Sequence, residues 1–408
     1  MRISTLSIYS NATSQFNTLQ SALARTQMQL STDRRILTPA DDPVASARAL
    51  EVSQSREMNA QYATNRASAR SSLSTVEGAL QNAGDLLQDI QQLAVNAGNG
   101  TMVQSDREKL ATEIEGRLAD LLGVANSTDG AGGYLFSGYM ATTQPFSSTP
   151  SGASYNGDQG QRQLQVGASR KMPLSASGSS VFENNLTGNG TFQTRADKNN
   201  AGGAIISSGS VVNRGLAEQR NAYTLTFAVD AATPPVTRYT VVDNATGNPV
   251  AGHDGEVYEA GKAITFGGIS FDIKGEPAAG DKFTMEPSTK QSVFTSVTEL
   301  ISALRSPADG TAGKAALSNK LNMALDNLKG AHENVLTVQA SVGANMKELD
   351  YLDSACDDLD IQYAATLGDL QDLDMVKAIS DFSQQQTTLQ AAQMSFKTMS
   401  GLSLFNYL

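Results

Sequence analysis

The side chains able to do acid–base, nucleophilic or metal chemistry are few and scattered. His253 and His332 are the only histidines, and Cys356 is the only cysteine. A histidine base needs a nucleophile and an orienting carboxylate held within hydrogen-bond reach. The two histidines lie far apart: His253 in a turn between Gly252 and Asp254, His332 on a long helical stretch. No His-Glu-x-x-His, Gly-x-x-x-x-Gly-Lys or Gly-x-Ser-x-Gly occurs, so the common metal, phosphate and nucleophile motifs are absent. Gly130-Ala-Gly132-Gly133 follows a helical pattern rather than a strand and reads as a helix stop, not a dinucleotide loop. A lone cysteine excludes a disulfide framework and a multi-thiolate zinc site. Cys356 falls on an apolar stripe with Leu349, Leu352 and Tyr363, and is expected to be buried as a small hydrophobe. The expectation is a chain with no catalytic residues, no cofactor and no metal, and not an enzyme.

Charge offers recognition instead. Residues 348–376 hold nine acids (Glu348, Asp350, Asp353, Asp357, Asp358, Asp360, Asp369, Asp372 and Asp374) and no Lys or Arg. Their spacing matches no calcium loop. Arg25, Arg34, Arg35, Arg48 and Arg56 lie near the other end of the chain. Charges flanking a helical seam set partner and register, so the acids are expected to align a C-terminal helix against an N-terminal one. Salt should loosen such an arrangement.

The elements that carry these charges are helices at both ends. Phe16, Leu19, Leu23, Thr26 and Leu30 step by three and four residues, and Ile379, Phe382, Gln386, Leu389, Gln393 and Phe396 do the same. This is the spacing of a coiled-coil seam. Leu402, Leu404 and Phe405 continue the apolar run. Helices without a partner for their apolar face are marginal in water. The ends are therefore expected to pair with each other and with copies of this chain, the alternative being a pair folded back within one monomer. Phe16, Leu19, Leu23, Leu30, Phe382, Leu389, Phe396, Leu402, Leu404 and Phe405 are the candidate subunit interface. Pro39 and Pro43 bracket a turn in which Asp41 or Asp42 can cap the next helix, with Pro43 at its first position.

Proline maps the rest. All eleven prolines lie between Pro39 and Pro307, and 44–144 and 308–408 contain none. Leu73, Val76, Leu80, Ala83, Leu87, Ile90 and Ala94 form a strict stripe. Ser105 with Glu108 predicts a capping box ahead of Leu110, Ile114, Leu118 and Leu121. From Leu317 to Leu370 the stripe is so little interrupted that one helix of ~60 residues, roughly 90 Å long, is expected. Between 130 and 290 fall 23 of the 35 glycines and 14 of the 24 Phe and Tyr residues, a composition of short strands and turns. Tyr223, Leu225 and Phe227 alternate with Thr224 and Thr226, and Ile264–Ile273 reads as a hairpin around Gly267-Gly268.

The fold class predicted is α+β: a long helical coiled-coil or bundle formed by both chain ends, with an inserted β-rich domain. The division expected is 1–38 with 372–408 for the assembly helices, 39–145 with 290–371 for the bundle body, and 146–289 for an outward-facing β-domain. A net charge of −11 argues against duplex nucleic acid as a partner. No apolar run approaches the ~20 residues of a membrane helix. The first 30 residues show no cleaved secretory signal, so export would need another route. An adhesin or fibre protein also fits helical ends around a β-domain.

Three stretches carry a resemblance to a known family: Gln29-Leu-Ser-Thr-Asp-Arg-Arg-Ile-Leu-Thr-Pro-Ala-Asp-Asp-Pro-Val-Ala-Ser-Ala-Arg-Ala-Leu50, Thr128-Asp-Gly-Ala-Gly-Gly-Tyr-Leu-Phe-Ser-Gly-Tyr139, and the ending Ser403-Leu-Phe-Asn-Tyr-Leu408. With them the chain resembles the flagellin superfamily of bacterial flagella. Proline after the Asp41-Asp42 pair and the Tyr-Leu-Phe-Ser-Gly stretch set it apart from filament subunits, and filament flagellin is the nearer alternative. Asp33 stands where the family often has glycine. Gly280-Asp-Lys-Phe283 and Gln291-Ser-Val-Phe294 extend the likeness loosely into the centre. The resemblance implies a structural adaptor assembling as a ring between hook and filament. It would be exported unfolded by the flagellar apparatus and lie extracellularly. The partners implied are copies of itself, the first hook-associated protein on the hook side, flagellin and the filament cap on the distal side, and a cytoplasmic export chaperone at the C-terminal helix.

Overall fold

The computed structural model describes residues 5–130, 132–217, 221–230 and 235–401. Helices α1 (Thr5–Thr32), α2 (Pro43–Ala97) and α3 (Gln104–Ala125) come first. A strand-rich region follows: β1 (Phe146–Thr149), β2 (Gly152–Tyr155), β3 (Gln163–Gly167), β4 (Arg170–Pro173), β5 (Asn185–Leu186), β6 (Phe192–Ala196), β7 (Ile205–Ile206) and β8 (Ser210–Val211). After the short α4 (Arg214–Ala217) come β9 (Tyr223–Asp230), β10 (Val236–Asp243), β11 (Glu256–Val257), β12 (Ala263–Phe266), β13 (Ile269–Lys274), β14 (Lys282–Pro287) and β15 (Lys290–Gln291). Helices α5 (Val293–Arg305), α6 (Gly310–Gln371) and α7 (Met375–Gly401) complete the chain. The architecture is α+β, helical at both ends with a β-rich region between them. The chain divides into two compact units, 1–64 with 351–408 and 65–350.

In the second unit the stripe from Leu73 to Ala94 is buried along its whole length, as are Ile114 and Leu121 of α3, Val297, Leu300 and Leu304 of α5, and Leu321, Leu328 and Val335 of α6. Each full burial of a Leu or Ile contributes about 1.5–3 kcal/mol, so packing rather than propensity holds these helices. The capping box is not used. Helix α3 starts two residues earlier, with Val103 rather than Ser105 at the cap position and no side-chain cap. Gln104 Nε2 reaches Glu108 Oε1 at 3.1 Å instead. The Tyr134–Tyr139 stretch is structural: Phe136 meets Phe182 edge to face at 5.4 Å, and Phe182 packs against Phe146 and Phe294.

The β-rich region holds a five-stranded antiparallel sheet, β11-β10-β9-β14-β6, and a smaller sheet, β12-β13-β7, with β8 also on β13. Leu225, Phe227, Val241, Phe271, Ile273 and Phe283 form its core. Gly267 and Gly268 link β12 to β13 with φ of 54° and 82°, the double left-handed geometry of a tight hairpin. Asp281 of the Gly-Asp-Lys-Phe stretch is only 2% exposed, and its carboxylate accepts the N–H groups of Ala201, Gly202 and Ala278. Three asparagines on α6 fasten the region to the helix. Asn319 donates to the Ala204 carbonyl and accepts from Ile206, Asn327 accepts from Gly188, and Asn334 donates to the Ser180 and Val181 carbonyls. Nothing in the hydrophobic pattern marked these asparagines. Their only signal is a seven-to-eight-residue spacing along an apolar stripe.

Candidate assembly surface

The first unit contains α1, α7 and the parts of α2 and α6 nearest them in sequence. Its α1 seam follows the predicted spacing. Phe16, Leu19, Leu23 and Leu30 are half-buried and Thr26 is buried. On α7 the seam is rotated by one residue. Phe382, Leu389 and Phe396 lie on it, but Ile379, Gln386 and Gln393 are exposed, and Ala378, Gln385 and Ala392 take their place. Two causes are visible: the small alanines let the helices close, and Gln385 has a partner across the seam. The Thr26 hydroxyl donates to Gln385 Oε1 at 3.0 Å. At the far end the Phe396 ring sits edge-on to Tyr9 at 4.9 Å and to Phe16 at 5.5 Å. Leu402, Leu404 and Phe405 lie outside the described residues.

One chain does not finish burying this surface. Every large side chain named on the seam stays half-exposed, and Met28, Val376, Ile379 and Met394 are more than half exposed, Val376 at 82%. Helix α1 carries a single charge, Arg25; its outer face is Ser, Thr, Asn and Gln. An uncharged outer face can be packed against another helix without the penalty of burying an ion.

The turn from α1 into α2 is built on two aspartates. Helix α1 ends in a left-handed residue, Asp33 (φ 52°), with the Arg34 N–H donating back to the Gln29 carbonyl at 3.2 Å. That is a Schellman stop, and it explains why glycine suits the position of Asp33. Asp41 Oδ2 accepts the N–H of Leu37 (3.0 Å) and Thr38 (2.9 Å), while Oδ1 takes Arg25 of α1 at 2.7 Å. The Thr38 N–H, then the Leu37 N–H and the Arg25 guanidinium, hold the Asp41 carboxyl below the usual carboxylate range, against some desolvation. Asp42 is the cap of α2: its Oδ1 accepts from Ala45 at 3.0 Å, with Pro43 opening the helix and Pro39 inside the turn. Asp374 caps α7 through the Lys377 N–H at 3.0 Å.

The acids find arginines, though not in one ladder. Arg56 forks onto Asp360 (Nε–Oδ1 2.8 Å, Nη2–Oδ2 3.2 Å), joining α2 to α6 within this unit. In the other unit Arg70 pairs with Asp350 and Arg170 with Glu348. These pairs are exposed and screened by solvent, so they set register more than stability. Cys356 is half-buried rather than buried, Leu349 being the last buried residue of α6; the Cys356 backbone carbonyl accepts Asn59 Nδ2 at 2.7 Å. The histidines stay apart. His332 faces Gly84 of α2, while His253 lies between Glu256, Tyr239 and the Thr265 carbonyl inside the β-region. Among the described residues no group of three metal-ligating side chains forms, and no helix is long and apolar enough to cross a membrane.

Paired helical ends around an inserted β-region, with an unfinished seam, define a self-associating structural subunit. A family model, the bacterial flagellin N-terminal helical region, matches residues 3–141. Flagellar hook-associated protein 3 of Escherichia coli (strain K12) is 29% identical over 406 residues, covering 99% of both chains. The crystal structure of flagellar hook-associated protein 3 from Legionella pneumophila is 33% identical with a TM-score of 0.73, covering 78% of this chain and 98% of that one. That of FlgL from Xanthomonas campestris is 27% identical with a TM-score of 0.69, covering 78% and 99%. The chain belongs to the flagellar hook-associated protein 3 family.

Proposed function

We propose that this chain is the adaptor that joins the flagellar hook to the flagellin filament, assembling as a ring of copies through its helical ends. The observation that carries the proposal is the α1–α7 seam, paired but half-exposed, on a helix with one charge in 28 residues. A two-helix pair that stops at this point leaves apolar surface in water worth about 25 cal/mol per Å2, and further copies would cover it. The interface comprises Phe16, Leu19, Leu23, Leu30, Phe382, Leu389 and Phe396 on the shared seam, continued by Leu402, Leu404 and Phe405. Pro39, Asp41, Asp42 and Pro43 shape the turn from α1 into α2.

The neighbours are the first hook-associated protein on one side and flagellin with the filament cap on the other. Copies reach the extracellular flagellum by the flagellar export route. A cytoplasmic chaperone covers the α7 seam before export. It should co-purify with the full chain and be lost when 375–408 are removed. The role is structural rather than catalytic. The decisive variant is Leu389→Asp. It places a charge on the seam, so the subunit should be exported with its second unit folded and fail to enter the junction. Normal incorporation would remove the seam from the account.

A further inference from the structure

The chain contains three Asn-Gly pairs, Asn99-Gly100, Asn156-Gly157 and Asn189-Gly190. Glycine leaves its own nitrogen unshielded and its backbone free, so that nitrogen can approach the preceding asparagine carboxamide. The fold treats the three pairs differently. At Asn189 the leaving nitrogen, Nδ2, donates to the Gly209 carbonyl at 3.4 Å, and the Gly190 N–H is committed to the Thr187 carbonyl at 3.3 Å. At Asn156, Nδ2 donates to Ser147 Oγ at 3.1 Å. The main chain there is pinned on both sides, the Asn156 N–H on the Pro145 carbonyl at 2.8 Å and the Asp158 N–H on the Ser137 carbonyl at 3.2 Å. Gly157 is packed so closely that a Cβ would fall 2.6 Å from the Tyr155 hydroxyl and 2.9 Å from the Ser137 carbonyl oxygen. Asn99 lies in the turn from α2 to α3, exposed together with Gly100 and Thr101. Among the described residues nothing holds its Nδ2 or the Gly100 N–H. Its Oδ1 accepts the Thr101 N–H at 3.2 Å and the Thr101 hydroxyl at 2.9 Å. These two donors curl the carboxamide back over the Gly100 peptide. They also stabilise the negative charge that builds on Oδ1 when the carbon beside it is attacked.

We propose that Asn99 is a self-modifying site of the folded chain. The Gly100 nitrogen forms a bond to the Asn99 Cγ and gives up its proton. The Cγ–Nδ2 bond breaks, and Nδ2 leaves with that proton as ammonia. Water then opens the resulting cyclic imide to aspartate or isoaspartate, so the step needs no oxidant or reductant. The product adds one negative charge beside the last carbonyls of α2, where an anion is disfavoured. Isoaspartate also lengthens the main chain of this turn by one methylene. The α2–α3 corner of a subunit thus carries a mark of its age. This holds whatever the subunit assembles with.

Peptide mapping by mass spectrometry tests it on the full chain, incubated folded in mildly alkaline buffer and digested at intervals. The comparison is wild type, Thr101→Val and Gly100→Ala. A Cβ at Gly100 would meet nothing within 4 Å, so the alanine variant keeps the turn while restricting the backbone motion that the attack requires. In wild type the Asn99 peptide should convert to aspartate and isoaspartate first, with the Asn156 and Asn189 peptides still intact. Thr101→Val removes one of the two donors and should slow the conversion roughly 2- to 10-fold, the worth of one hydrogen bond. Gly100→Ala should slow it as well. Asn156 or Asn189 converting as fast as Asn99 would overturn the proposal. So would either variant converting at the wild-type rate.

Discussion

The Thr26 hydroxyl donates to Gln385 Oε1 across 359 positions of sequence, at the most buried point of the α1 seam. A polar pair inside an apolar seam fixes register at some cost in stability. Thr26→Val keeps the shape and removes the donor. Helix content should stay unchanged, with a stability change within about 1 kcal/mol. Incorporation into purified hook–filament complexes, quantified by immunoblot, should fall. Undiminished incorporation would mean that the pair does not set register.

The Asp41 turn should be insensitive to pH until strongly acid conditions. Its carboxyl is held below its ordinary 3.8 in the folded chain, first by the Thr38 N–H. A depressed carboxylate stabilises the fold above its unfolded value and loses that contribution as pH falls through the folded one. Backbone amide NMR signals of Leu37 and Thr38 should therefore stay fixed from about pH 7 to 5 and move only below about 4. Movement near neutral pH would contradict the assignment, as would an Asp41→Asn chain whose two signals match wild type.

Asp33 holds a left-handed backbone that glycine adopts without cost. Asp33→Gly should gain up to about 1 kcal/mol in the first unit, whereas Asp33→Val should lose more than that. Urea unfolding of the two variants, followed by helical circular dichroism, orders them. Valine as stable as glycine would remove the Schellman stop from the argument.

Asp281 collects three backbone N–H donors while almost fully buried. Removing the carboxylate leaves them without an acceptor, at about 1–3 kcal/mol for each group. Asp281→Ala should lower the thermal midpoint of the β-rich region while leaving the α1–α7 pair intact. An unchanged melting curve would show that water replaces the carboxylate at no cost.

Much of this was legible in the residues because helical burial leaves a periodic trace. The Leu73–Ala94 stripe, the long α6 and the Gly267-Gly268 hairpin follow directly from spacing and glycine chemistry. The α7 seam did not, since glutamines and alanines carry little hydrophobic contrast, and a one-residue rotation depends on a hydrogen bond to a residue 359 positions away. The capping box at Ser105 failed because Gln104 found carbonyl partners at the end of α5. The asparagines of α6 were invisible for the same reason: the groups they hold are backbone N–H and C=O, which every residue possesses.

Deleting the gene and imaging flagella by electron microscopy, while assaying the medium for flagellin, tests the central claim most directly. Bare hooks with flagellin released into the medium are expected, restored to filaments by the wild-type chain but not by Leu389→Asp. Intact filaments on the deletion strain would contradict it, and bare hooks with no flagellin in the medium of a strain with a single flagellin would make this chain the filament subunit instead.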